Sequence, residues 1–127
     1  HHPKYYQIAK DIFKKIEDGN ISANMSTLVF AELLVPAFKY GEDKRAKKVM
    51  HILSNFPNLE IIPLTAEISI AAAQLRASHS LRTPDAIHAA TAMESKTRGI
   101  ITNDKEFQKL TSPNFGIWLF DTSAFTN

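Results

Sequence analysis

Apolar residues recur along this chain at two different periods, and the switch between them divides it into alternating helices and strands. Tyr6, Ala9, Ile12, Phe13 and Ile16 fall at three- and four-residue steps between Tyr5 and Asp18, predicting an amphipathic helix that Gly19 stops. Ile21 to Ser26 reads as a short strand. Leu28 to Tyr40 returns to a helical pattern, with Pro36 kinking or interrupting it because proline lacks a backbone donor and crowds the preceding turn. Past Gly41, Lys44 to Phe56 predicts a helix with Ala46, Val49, Met50 and Leu53 on one face.

The second half repeats the alternation. Pro57-Asn58 turns into a compact strand, Leu59 to Ile62, and Thr65 is a good N-cap for a helix from Ala66 to about His79. Ala71, Ala72 and Ala73 allow that helix to pack closely on a neighbour. Thr83 is expected to cap the next helix, with Pro84 at its first position and an end near Thr97. Gly99 leads into a strand, Ile100 to Thr102, and Asp104 is placed to cap a short helix through Leu110. Phe115 to Phe120 is an apolar, aromatic strand; Trp118 and the phenylalanines read as core. Strands separated by helices predict parallel crossovers, hence a three-layer α/β/α fold with a parallel sheet in one domain over residues 1–127.

Composition narrows the class. With 44% hydrophobic and 22% charged residues in 127, the chain matches a soluble globular protein that buries roughly two thirds of its extended surface. No apolar run approaches the ~20 residues of a membrane span, and no basic-then-apolar leader is seen, so a cytoplasmic protein is expected. The absence of cysteine leaves only oxygen and imidazole as metal ligands. A net charge of +2 is too small to imply nucleic-acid binding, but five cations (Lys39, Lys44, Arg45, Lys47, Lys48) outnumber Glu42 and Asp43 by three. That stretch is either a phosphate-facing rim or a solvated helix face.

Four acids carry the candidate chemistry: Glu32 after Ser26-Thr27-Leu28-Val29-Phe30-Ala31, Asp85 in Thr83-Pro84-Asp85-Ala86-Ile87-His88, Asp104 in Thr102-Asn103-Asp104, and Asp121 in Phe120-Asp121-Thr122-Ser123. Each follows an apolar run or opens a helix, where an α/β sheet gathers its functional groups. Hydrolysing a phosphodiester without a covalent intermediate needs charge neutralisation and an activated water. Mg2+ or Mn2+ supplies both when carboxylate oxygens converge. Structural roles stand beside this reading: Asp85 favours its helix dipole by about 0.3–1 kcal/mol, and Asp104 is an N-cap. Glu32 lies among Phe30, Ala31, Leu33 and Leu34, so its helix is expected to be largely buried and its carboxylate to need a partner. His88, three residues after Asp85, is either a ligand or proton carrier or packs, hydrogen-bonded, beside the pocket. Thr27, Thr102 and Asn103 orient the acids or serve turns and caps. No Gly-rich phosphate loop, His-Glu-x-x-His motif or Gly-x-Ser-x-Gly elbow is present.

Three blocks, Ser26 to Leu34, Ala72 to Arg76 leading into Leu81 to Ala90, and Ile101 to Phe107, resemble a PIN domain, specifically the VapC-type toxin ribonucleases of toxin–antitoxin modules. The resemblance runs from His2 to Ile117. It implies a parallel sheet in strand order 3-2-1-4-5 and an acidic cluster that binds Mg2+ or Mn2+ and cleaves RNA. It also implies a cognate antitoxin and a homodimer. Glu32, Asp85 and Asp104 match the second, third and fourth acids of that cluster. The first acid of such domains sits in an Asp-Thr-Ser/Asn motif after the opening strand; here the motif stands at Asp121-Thr122-Ser123. A circular permutation, a cut chain or a strand swapped between protomers are the alternatives, and Phe115 to Phe120 is expected in the central slot of the sheet. An edge slot would set Asp121 about 10 Å away, too far to share a metal. The function expected is a Mg2+/Mn2+-dependent endoribonuclease. A catalytically impaired RNA- or protein-binding module and a structure-specific DNase are the alternatives.

Overall fold

Ile8, Ile12 and Ile16, one helical turn apart, form the buried face of α1 (Pro3–Glu17) in the computed structural model, which describes residues 3–119. Ala9 and Phe13 flank that row half-buried, so the face is rotated slightly from the one the periodicity predicts. Phe13 meets Phe56 edge-to-face at 5.5 Å. The helix ends as expected: Gly19 takes φ +83°, and the Asn58 amide donates to the Ile16 carbonyl at 2.9 Å.

Four short strands form two parallel pairs. β1 (Ala23–Ser26) lies on β2 (Leu59–Ile62) with Ala23 opposite Leu59. β3 (Gly99–Thr102) lies on β4 (Gly116–Leu119) with Gly99 opposite Gly116. A β-carbon at Gly99 would sit 1.9 Å from the Gly116 carbonyl oxygen, so the close approach of these strands requires glycine there.

Between β1 and β2 the chain forms α2 (Leu28–Leu33), α3 (Val35–Lys39) and α4 (Asp43–Ser54). The interruption expected at Pro36 is a break at Leu34; Pro36 becomes the second residue of α3, where its missing donor goes unneeded. Ala37 of α3 packs with Leu34 and Ala46. α5 (Ala66–His79) begins at Thr65, whose Oγ1 accepts the Ile68 amide at 3.2 Å, and stops at Ser80 in the left-handed region. It packs along α6 (Thr83–Glu94) through small side chains: Ala72, Ala86, Ala89 and Ala90 are buried with Ile68, Leu81, Phe107 and Leu110. α6 in turn lies against both β1 and β3.

Several expectations need correction. α2 buries none of its residues, and Glu32 is exposed rather than enclosed, because a six-residue helix that ends at Leu33 lies on the outside of the fold. Trp118 and Phe38 are exposed, not core. Thr83 is the first residue of α6 rather than its cap; Arg82 holds the cap position without a side-chain bond. The helix ends at Glu94, three residues before the expected Thr97.

The largest correction concerns the last strand. β4 pairs with β3 alone, and no described strand occupies the place between β1 and β3. A single 3-10 helix (Lys105–Leu110) and the Ser112–Phe115 bridge return the chain directly beside β3, and the Gly116 amide donates to the Arg98 carbonyl at 2.8 Å. Residues 116–119 therefore do not fill the central slot. The two pairs are the outer pairs, 3-2 and 4-5, of the expected order. Asp121, Thr122 and Ser123 lie outside the described residues. Among those described, no helix is long and apolar enough to cross a membrane.

Candidate active site

Each of the three described acids has one carboxylate oxygen tied to a protein donor. On α2, Glu32 Oε1 accepts from His88 Nε2 of α6 at 2.7 Å. A carboxylate only accepts, so this imidazole nitrogen carries the hydrogen. In the first turn of α6, Asp85 Oδ2 accepts from Arg82 Nε at 3.2 Å. In the turn after β3, Asp104 Oδ1 accepts the Glu106 amide at 2.9 Å and so caps the 3-10 helix. The second oxygen of each, Glu32 Oε2, Asp85 Oδ1 and Asp104 Oδ2, takes no hydrogen bond from any described residue. Such a carboxylate is oriented but not saturated.

Exposure separates the three. The Asp85 side chain is only 15% exposed although Arg82, its partner, is 78% exposed. Glu32 is 46% exposed against 28% for His88. The His88–Glu32 contact is unusual within this molecule. Every other side-chain-to-side-chain hydrogen bond or ion pair among the described residues joins residues at most four positions apart, whereas this one spans fifty-six.

The supporting polar residues divide in the same way. Thr102 Oγ1 accepts the Asp104 amide at 3.1 Å and fixes the turn that presents Asp104. Thr27 stands at the N-cap of α2 without capping it; Ser26, buried, accepts the Leu28 amide at 3.1 Å instead. Asn103 is exposed at the turn. Sequence reasoning gave no role to Arg82 or to the Ser26 hydroxyl. Arg82 carried a usable signal, three positions before Asp85 at the helix start.

The structure brings Glu32 onto α6, one turn from Asp85, through His88. It does not gather all three acids: among the described residues no three His, Cys, Asp or Glu side chains lie together so as to hold a metal ion. Among the described residues, no buried polar side-chain atom lacks a partner either. The donor set is nonetheless of the right kind for a hard cation, since Mg2+ keeps most of its waters and takes only one or two protein carboxylates.

Comparison with known proteins bears on this arrangement. The family model described as "PIN domain" matches residues 4–112. A toxin–antitoxin complex from Klebsiella pneumoniae superposes with TM-score 0.60 at 25% identity, over 87% of this chain and 91% of that one. VapBC2 from Rickettsia felis, bound to a DNA fragment from their promoter, superposes with TM-score 0.62 at 22% identity, over 93% and 87%. No curated protein matches. The family match spans the blocks that carry Glu32, Asp85 and Asp104 and the folds agree over most of each chain, so the chain belongs to the PIN domain family.

Proposed function

We propose that this PIN domain is a divalent-metal-dependent endoribonuclease, acting as the toxin of a toxin–antitoxin pair. The observation that carries the reading is the set of three acids, each with one tethered and one uncommitted oxygen, on α2, α6 and the turn after β3. Membership of a family whose members are generally nucleases supports hydrolysis. Glu32, Asp85 and Asp104 are the residues that would hold Mg2+ or Mn2+; off the central slot, Asp121 would be too far to share it. Bound there, the ion neutralises phosphate charge and lowers the pKa of water. The chain's own part is orientation: Arg82 turns Asp85, His88 turns Glu32, and the Glu106 amide with Thr102 fixes Asp104.

The exposed cations Lys44, Lys47 and Lys48 of α4 suit an RNA backbone, whereas Arg45 is engaged by Glu42 at 3.5 Å. An antitoxin partner is supported by the toxin–antitoxin complexes that this chain resembles. A homodimer is supported by the exposed Leu33, Val35, Phe38 and Tyr40, beside a groove of about 630 Å3 lined by Phe30, Leu34 and Phe38. A monomer mass by light scattering removes that last part.

The test is cleavage of matched RNA and DNA oligonucleotides with Mg2+, with Mn2+ and with chelator. RNA alone is expected to be cut, only with metal, and Asp85→Asn or Asp104→Asn should reduce the rate at least 100-fold with the fold intact. Full activity in both variants removes the site. Cleavage of DNA alone turns the reading to a DNase. One observation favours a second reading, a binding module with an impaired site: no three donors converge among the described residues. RNA or antitoxin binding without measurable metal affinity would establish it.

A further inference from the structure

The two parallel strand pairs share one layer of this fold without pairing with each other. Ala23 of β1 and Ile101 of β3 both pack on the Ile8, Ile12 and Ile16 face of α1, while α6 lies on the same two strands. Ile100, next to Ile101, packs on the α5–α6 core, so the helices cover opposite faces of β3. A helix is about 10–12 Å across, roughly two strand spacings, so β1 and β3 stand one strand apart.

Their facing edges are open among the described residues. The Ala23 and Thr27 amides donate to the Asn58 and Ile62 carbonyls, both at 3.0 Å, which turns the backbone groups of Asn24 and Ser26 away from β2. On β3 the Arg98 carbonyl takes the Gly116 amide, so Gly99 and Ile101 turn theirs away from β4. Helices cover both faces, yet Gly99–Thr102 stays half-buried throughout, as a strand with an open edge does.

A strand that fits between them is covered on both faces and reads as a continuous apolar run. Ile117-Trp118-Leu119-Phe120 is such a run. As β4, outside β3, it makes one ladder and leaves Trp118 exposed; between β1 and β3 the same strand makes two. Its own chain does not bring it there. Phe107 and Leu110 of the 3-10 helix are buried in the α5–α6 core, and moving β4 across β3 with that crossover in place reverses its hand. One hand accounts for about 98% of parallel connections. A strand from another molecule carries no such restriction.

We infer that two copies of this chain exchange their last strands, each filling the place between the other's β1 and β3 with Gly116–Leu119, in parallel. The exchange goes beyond the nuclease reading and does not rest on it. Lying parallel, the strand ends where β1 and β3 end, and so carries the second copy's Asp121 to the side of the sheet that bears Thr27 and Asp104.

Light scattering and cross-linking of the full chain test it. The unsubstituted chain should have twice the 14.2 kDa mass of one copy. The chain has no cysteine, so single thiols report cleanly. Asn24→Cys chains refolded together with Ile117→Cys or Trp118→Cys chains, which point to opposite faces, should join through a thiol reagent spanning one strand spacing, ~5 Å. Within one chain β1 and β4 lie three spacings apart, ~14 Å, beyond its reach. Met25→Cys replaces Asn24→Cys if that variant unfolds. A monomer mass overturns the inference. So does a dimer whose mixed thiols stay unlinked, since it assembles through another face. A link formed inside a monomeric Asn24→Cys/Trp118→Cys double variant overturns it too, because the strand then fills its own chain's slot. RNA cleavage is read separately, and its failure leaves the exchange standing.

Discussion

A carboxylate held by one oxygen keeps its charge and loses its freedom, and that is the state of Glu32, Asp85 and Asp104. Asp104 shows how such a residue serves two ends. Its Oδ1 caps the 3-10 helix while Oδ2 stays open, so asparagine keeps the cap and loses the charge, whereas alanine loses both. Asp104→Ala should therefore cost about 1 kcal/mol in denaturant unfolding and Asp104→Asn a few tenths at most. Equal losses would mean the cap is not what Asp104 contributes. This role was legible in the sequence, because Thr102-Asn103-Asp104 after an apolar strand is a local turn signal. The Glu32–His88 bond was not, since nothing periodic links positions fifty-six residues apart; only packing of α2 on α6 creates it.

Elements with strong local signals fell where the pattern put them. β2 and α5 match their expected bounds because Thr65 caps one and Asn58, with φ +63°, turns into the other. α2 was misjudged for a physical reason: a run that is apolar all round reads as a buried helix, yet a break at Leu34 leaves a segment too short to tuck that surface away. Which neighbour β4 would choose was equally hidden, since pairing belongs to the tertiary structure and not to a hydrophobic run. Gly99 is the element-scale test. Gly99→Ala drives a β-carbon into the Gly116 carbonyl, with no flexible side chain to yield, and should destabilise by about 3 kcal/mol or more in urea. A loss under about 1 kcal/mol would show that the β3–β4 contact is looser than described.

At the scale of the whole molecule, α6 is the element that links the others. It carries Asp85 and His88, packs along α5, and lies on both β1 and β3. The apolar row from Leu33 to Tyr40 leaves part of the surface suited to another protein, in keeping with a chain whose structural relatives are seen in complexes. Among the described residues the three acids do not converge: Glu32 meets α6 through His88, while Asp104 stands in its own turn after β3. A shared metal site would need all three within reach of one divalent ion. Mn2+ is paramagnetic, so its titration into labelled protein reports that convergence directly through the broadening of nearby amide signals. Amides next to Glu32, Asp85 and Asp104 should broaden together at the same low Mn2+ concentration. Broadening beside only one of them, or at none, would contradict a shared metal site and with it the proposed hydrolysis.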